Sequence, residues 1–292
     1  MKLSVEKITK ETFDSCMDFL VPAEFRCIGL VSRLVQDGKP VFPQEEGALF
    51  IRLVSRENLF SSAKIEGILF ITSAGIVLHC IGDDCDRDAW TKPLFQFFSQ
   101  KRLHSIIGCK KDTEWLETLS SGIPYRVVDY TLMIFKETQN TLRSTVSFES
   151  ANLMLRRAHA NEIESILPLQ VGYEKEEVLA PGEEVNHKHC KANLVRILTK
   201  EEVYLVTHNG IPVAKAGTIA QGRFWDQIGG VYTSSEFRGK GFATALVSKL
   251  TQEILKKNKK AALFVKIGNV AAQKAYQRAG FVDSLPFRIS YF

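Results

Sequence analysis

The sequence predicts an α/β (α+β) protein built as two successive units of mixed strands and helices. Three observations lead there. The chain is 292 residues long, about two ordinary domains. The polar stretch "KETQNTLRSTVSFESAN" over 136–152 has little apolar periodicity and separates two patterned runs. The two runs repeat one order of elements at matching distances, 55 residues from Leu49 to His104 and 58 from Val203 to Ala261. The expected domains are therefore 1–140 and 141–292.

In the first run, "LFIRLV", "IEGILFIT" and "GIVLHCIG" read as strands, followed by a helix from about Asp88 to Lys101. Strand "LHSIIGC", helix "DTEWLETLSS" and strand "VVDYTLMIF" complete it. In the second run, "LMLRRA" reads as a strand, and "NEIESILPLQVGYEKEEV" and "HKHCKANLVRILTK" as helices. Strands "VYLVTHNG", "IPVAKAGTIAQG" and "FWDQIGGVYT" follow, with "HNG" a hairpin signal. A helix from near Gly241 places Ala243, Val247, Leu250 and Ile254 on one face. Strand "AALFVKI", helix "VAAQKAYQRAG" capped by Gly280, and strand "FRISYF" end the run.

Composition is that of a globular chain, 45% hydrophobic and 24% charged, with no apolar run of membrane-span length. The charged opening "MKLSVEKITKETFDSC" lacks the apolar core of a signal peptide, so a cytoplasmic protein is expected. Six cysteines without a CxxC pair read as reduced, mostly buried thiols. Residues 1–140 hold 17 Lys and Arg against 19 Asp and Glu, while the rest hold 21 against 14. A basic second half suits a polyanionic ligand, nucleic acid or phosphorylated cofactor alike.

The stretch "EFRGKGFATALVSK" at 236–249 lies between a strand ending at Thr233 and that basic half's most periodic helix. A helix N-terminus offers unpaired N–H groups, and glycines let that backbone approach a phosphate. The GxxxxGK[ST] spacing is absent, and Thr244 stands where a dinucleotide fingerprint needs its third glycine. A plain strand-to-helix turn would also use these glycines. Arg238, Gly239, Lys240, Gly241, Phe242 and Ala243 fit R-x-x-G-x-A, and "NVAAQKAYQRAGF" follows one helix and one strand later.

Over roughly 152–292 this resembles the GNAT superfamily of acyl-CoA-dependent N-acyltransferases. The resemblance implies a loop of Arg238 to Thr244 around the pyrophosphate of acetyl-CoA. It also implies a preceding strand whose Val231, Tyr232 and Thr233 meet the pantetheine arm, and Asn269 and Tyr276 as the family's asparagine and tyrosine. Two tandem GNAT-like domains follow, each a mixed, mainly antiparallel central sheet flanked by helices.

Seven residues are nearly two helical turns, so Asn269 and Tyr276 share a face about 10 Å apart along the axis. Asn269 also suits a helix N-cap, and Tyr276 a packed aromatic. As a catalyst, Tyr276 would protonate the departing thiolate. The resemblance puts a base on the strand before the loop, where Asp226 is the candidate. Glu174, Glu176 and Glu177 border the acceptor side in that reading, or else form a solvated helix end; facing the cleft, they imply a cationic amine, small molecule or protein amine.

In the first half, "DDCDRD" stands in place of the glycine loop, and its carboxylates would repel a pyrophosphate. Superposing Gly122 on Gly280 puts Lys111 at the place of Asn269 and Thr118 at that of Tyr276, so a degenerate, non-catalytic copy is expected. Tandem GNAT-like enzymes that take aminoacyl-tRNA, the Fem type, and a non-enzymatic acetyl-CoA sensor are the alternative functions. Metal is not expected: "HKHC" at 187–190 cannot converge on one ion from a helix. Neither nucleic acid nor membrane is an expected partner.

Overall fold

The computed structural model describes residues 2–36, 39–41, 48–57, 63–137, 152–180 and 182–292; most of the polar dividing stretch, 138–151, lies outside them. The chain forms two compact units. One holds Met1–Leu132, Gly222–Phe224 and Ser284–Phe292, the other Met133–Gln221 and Trp225–Asp283.

The first unit runs β1 (Lys2–Lys7), α1 (Phe13–Leu20), α2 (Ile28–Leu34), short β2 (Val35–Gln36) and β3 (Lys39–Pro40), then β4 (Leu49–Arg56), β5 (Lys64–Ile71) and β6 (Ile76–Ile81). It continues through α3 (Arg87–Phe98), β7 (Ser105–Cys109), α4 (Lys110–Thr118) and most of β8 (Arg126–Phe135). Strands β1, β4, β5 and β6 pair antiparallel, and β6 pairs parallel with β7. On β7's other edge, antiparallel to it, lie Phe287–Tyr291. The alternation of β5 decides its packing: Ile68 and Phe70 join the core of α1 and α2, while Leu69 and Ile71 join that of α3 and α4. Helices α1 and α2, with β1, precede the first segment that patterning picked out.

The second unit runs β9 (Leu153–Arg157), α5 (Ile163–Tyr173), a π turn (Glu174–Val178), α6 (His187–Lys200), β10 (Val203–His208), β11 (Ile211–Gln221) and β12 (Trp225–Thr233). Then come α7 (Phe242–Lys256), β13 (Lys260–Lys266), α8 (Val270–Arg278) and the start of β14 (Phe281–Tyr291). Its strands lie in the order β13-β12-β11-β10-β9, and only β12 with β13 is parallel among these pairs. Asn209 and Gly210, at φ 51° and 80°, make the expected hairpin turn between β10 and β11. Val206 faces the core of α7 and α8, and Val203 and Leu205 face α5 and α6. Helix α7 is buried more broadly than one stripe, from Phe242 through Leu250 with only Ala243 and Lys249 partly exposed.

Of the six free cysteines five are buried and Cys109 is half-buried. In α6 Cys190 turns inward while His187 and His189 face solvent, as the helical period requires of residues so close together. Among the described residues no helix is long and apolar enough to cross a membrane.

Candidate functional site

The parallel pair in the second unit sets the geometry. Pairing joins Trp225–Ile228 to Lys260–Leu263 and stops there, although β12 continues to Thr233 and β13 to Lys266. Two irregularities in the β11–β12 register flank this point, and Gly230 takes a left-handed φ of 59°. A bulge bends the strand that carries it. From Gly229 onward β12 therefore leaves β13, and a gap opens at the ends where Thr233 and Asn269 lie.

Above the gap, Ser235–Phe237 make one 3-10 turn, and the backbone then passes through Gly239 and Gly241 at φ 76° and 80°. Nothing lies within 4 Å of a Cβ built on Gly239, so conformation alone demands glycine there. Gly241 is the N-cap of α7, with no side-chain hydrogen bond to that helix end. The opening N–H groups of a fifteen-residue helix are thus uncapped by side chains at the mouth of the gap.

The flanking side chains divide by task. Arg238 and Lys240 are exposed; the Arg238 Nε donates to the Thr233 carbonyl at 3.0 Å, and the Lys240 Nζ lies 4.6 Å from the Phe237 ring centroid. Phe242 is buried in the core, and Thr244 spends its hydroxyl on the Ala275 carbonyl, 3.1 Å away. These two, expected beside the cofactor, have only backbone to offer it. Ala243 is half-buried between them, and Val231 packs against the same core.

Asn269 is the helix N-cap that the sequence allowed. Its Oδ1 caps α8 by accepting from the Ala272 N–H at 3.0 Å, and its Nδ2 donates to the Glu177 Oε1 at 3.1 Å. Tyr276 is 7% exposed, and among the described residues its hydroxyl has no hydrogen-bond partner. Burial first, then Tyr173 and Glu177 nearby, push that phenol well above its ordinary range.

The π turn after α5 supplies what the glutamate run left open. Glu176 accepts from the Tyr232 hydroxyl at 2.8 Å and from the Arg238 Nη2 at 2.7 Å, while Glu177 meets the Lys266 Nζ at 3.2 Å. Burial opposes the Glu176 charge, but Arg238 and Tyr232 hold its carboxyl below the usual range. One carboxylate thus engages the β12 side of the gap and the next the β13 side. Gly172 makes this approach possible, since a Cβ there would sit 2.4 Å from the Tyr232 hydroxyl. Single π turns inside helices are frequent at functional sites.

A family profile described as FR47-like protein matches residues 210–286. No curated protein matches the chain. Among solved structures, a Drosophila protein superposes with a TM-score of 0.65 at 12% identity, covering 99% of this chain and 98% of its own. A tandem GNAT protein from the clavulanic acid biosynthesis pathway does so at 0.58 and 10%, covering 99% and 98%. A GNAT-family acetyltransferase from Colwellia psychrerythraea gives 0.53 and 14%, covering 99% of both chains. The chain has the tandem GNAT fold.

Within that fold Tyr232 and Arg238 meet Glu176, and Asn269 and Tyr276 lie beside Glu177 on the same turn, but Asp226 does not join them. It lies near the start of β12, opposite Ala261 at the start of β13, at the far end of the parallel pair. Fully buried, it binds the Lys259 Nζ at 2.9 Å. Burial raises its carboxyl pKa and Lys259 opposes the rise. Patterning missed Tyr173, Lys215 and Gly230. Two signals pointed there: a lysine inside the apolar run "IPVAKAGTIA", and paired glycines inside a strand. Among the described residues no group of His, Cys, Asp or Glu is placed to hold a metal ion.

Proposed function

We propose that the second unit is an N-acetyltransferase that moves an acetyl group from acetyl-CoA to a primary amine by direct attack in a ternary complex. The observation that carries this reading is the gap beyond Ile228 and Leu263, roofed by two left-handed glycines and an uncapped helix start. That combination suits a thin pantetheine arm between strands with its pyrophosphate on backbone N–H groups. Lys240 adds positive charge at the rim, while Arg238 and Lys266 are held by Glu176 and Glu177.

The chemistry assigned to the chain's own residues is modest. A neutral amine adds to the thioester carbonyl carbon, the intermediate collapses, and the carbon–sulfur bond breaks. Tyr276, protonated across the physiological range, donates its free hydroxyl to the departing sulfur. Asn269 fixes the start of α8 and so the direction from which Tyr276 approaches. In this reading Asp226 is an ion-pair partner of Lys259 and takes no part in proton removal. Glu176 and Glu177 are balanced by Arg238 and Lys266, so the expected preference for a cationic acceptor has no unpaired charge behind it and is not carried forward.

Calorimetry with acetyl-CoA, followed by a thiol-release screen of amines, tests the reading. Binding with turnover of at least one amine supports it. A folded chain that binds no acetyl-CoA overturns it.

A further inference from the structure

Glu177 reaches both ends of the turn that joins β13 to α8. Its Oε2 meets the Lys266 Nζ at 3.2 Å where β13 ends, and its Oε1 accepts from the Asn269 Nδ2 at 3.1 Å where α8 begins. The turn is tight between those points. The Lys266 carbonyl accepts from the Asn269 N–H at 2.9 Å and from the Gln273 Nε2 at 3.2 Å, and the Ile267 carbonyl accepts from the same Nε2 at 2.8 Å. With the Asn269 Nδ2 given to a carboxylate, Oδ1 is the atom left for the Ala272 N–H, so Glu177 also fixes which way the capping amide faces.

Helix α8 has little else to set its direction. It is nine residues long, too short to hold a helix unaided, and Tyr276 is its one buried side chain, with Ala272 and Ala275 half-buried against the core. The segment that carries Glu177 is itself anchored. The Leu179 N–H donates to the Glu174 carbonyl at 2.9 Å, the five-residue step of a π turn. Where α5 ends, the Tyr173 ring centroid lies 4.8 Å from the Lys215 Nζ, which donates to the Gly230 carbonyl of β12 at 2.9 Å.

We propose that Glu177 is a positioning residue of the transfer site: by holding Lys266 and the Asn269 amide together it sets the start of α8, and with it the placing of the Tyr276 hydroxyl at the departing sulfur. The inference rests on the acetyl-CoA reading above. Glu177 gives and takes no proton in the transfer, because both its oxygens stay engaged with the turn. Burial, then Tyr173 and Glu177, keep the Tyr276 phenol protonated, so its proton is in place when the carbon–sulfur bond breaks. A displacement of about 1 Å in such a group can cost ~100-fold in rate, so loss of this staple should appear in kcat.

The test reverses the hydrogen bond in the full chain, with kcat read at saturating acetyl-CoA on an amine that the thiol-release screen turns over. Asn269→Asp keeps a capping oxygen for α8 but sets a second carboxylate against Glu177, and kcat should fall about tenfold. Adding Glu177→Gln offers that carboxylate an amide donor and should restore kcat to within about twofold of wild type. In a Tyr276→Phe background Asn269→Asp should cost nothing further, which a general loosening of the fold would not produce. Failure of Glu177→Gln to restore kcat, an equal loss with and without the Tyr276 hydroxyl, or a loss in acetyl-CoA affinity with kcat unchanged overturns the inference. If Asn269→Asp does not fold, Glu177→Ala takes its place, and a kcat equal to that of wild type overturns the inference in the same way. Failure of wild type to bind acetyl-CoA removes the acetyltransferase reading and this inference with it, whereas binding and turnover with unaffected variants remove this inference alone.

Discussion

Each unit contains a parallel strand pair, and in both the pairing stops early: at Leu78 with Ile107 in the first unit, at Ile228 with Leu263 in the second. The next residue is His79 in one and Gly229 in the other. A Cβ on Gly108 would lie 2.1 Å from the His79 Nε2, so the imidazole lies flat against β7 in the space just past the last pair. Its Nε2 is 2.9 Å from the Thr113 Oγ1 of α4, and burial lowers its pKa to about 4, leaving it neutral. At the same point β12 bears two glycines and places no side chain.

The loops differ in the same sense. Asp86 caps α3 and accepts from the Ala89 N–H at 3.1 Å, whereas Gly241 leaves the start of α7 uncapped by any side chain. Counted from the helix caps, Cys109 corresponds to Asn269 and Leu116 to Tyr276. Leu116 is fully buried in the core. The sequence superposition on Gly122 and Gly280 had placed Lys111 and Thr118 there, and it misled because the turn after α4 is longer than the turn after α8. An open strand end and a filled one are thus built from one strand arrangement, and a handful of side chains decides between them.

The comparison can be broken by giving the second unit the first unit's cap. Gly241→Asp puts a carboxylate on the α7 N–H groups and should weaken acetyl-CoA binding by about a thousandfold, or ~4 kcal/mol, read by calorimetry on a folded variant.

The first unit should show its filled gap as a pH effect. Unfolded, His79 takes a proton near its ordinary 6.5; folded, it resists until about 4. The unfolded chain binds the extra proton between these values, so stability falls as pH drops through that window, by on the order of 3 kcal/mol. Chemical denaturation of wild type and His79→Gln across it measures this, and equal pH slopes for the two would show that His79 is not the group responsible.

Tyr276→Phe should lower turnover about a hundredfold and leave acetyl-CoA affinity nearly unchanged, as loss of a proton donor does. Equal kcat in the two proteins would return Tyr276 to a packing role.

The smallest effect is expected at the π turn. Glu176→Gln removes the charge that occupies Arg238, so acetyl-CoA affinity should rise by about threefold, the scale of an exposed ion pair. A fall in affinity would instead make Glu176 part of the bound site.

Much of this was legible in the sequence because it is local. Gly239 and Gly241, the Asn269 cap and the seven-residue step to Tyr276 each announce themselves within one turn or one helix. The acidic replacement "DDCDRD" was legible for the same reason. Other features depend on partners distant in the chain. Nothing near His79 signals that it will lie against Gly108, and nothing near Lys215 signals the Gly230 carbonyl. Glu176 and Glu177 looked like a solvated helix end because Arg238 and Lys266, 62 and 89 positions away, are what they meet. Asp226 sat on the expected strand at its wrong end, a distinction that only strand register makes.

The strand formed by Phe287–Tyr291 against β7 has a consequence for how the molecule comes into being. Phe287 and Ser290 are buried, and the Arg288 guanidinium reaches Asp129 at 2.7 Å and Glu114 at 3.1 Å, all within the first unit. A ribosome makes β7 long before it makes that strand, with the whole of the second unit's sequence in between. Domains that emerge first generally fold first, yet here β7 waits with one edge unpaired until the last strand arrives. An unpaired edge is a template for pairing with other chains. The nascent first unit is therefore the stage at which a chaperone has the most to cover, and stalled synthesis short of residue 284 should leave an aggregation-prone product even though the second unit's residues are nearly all present.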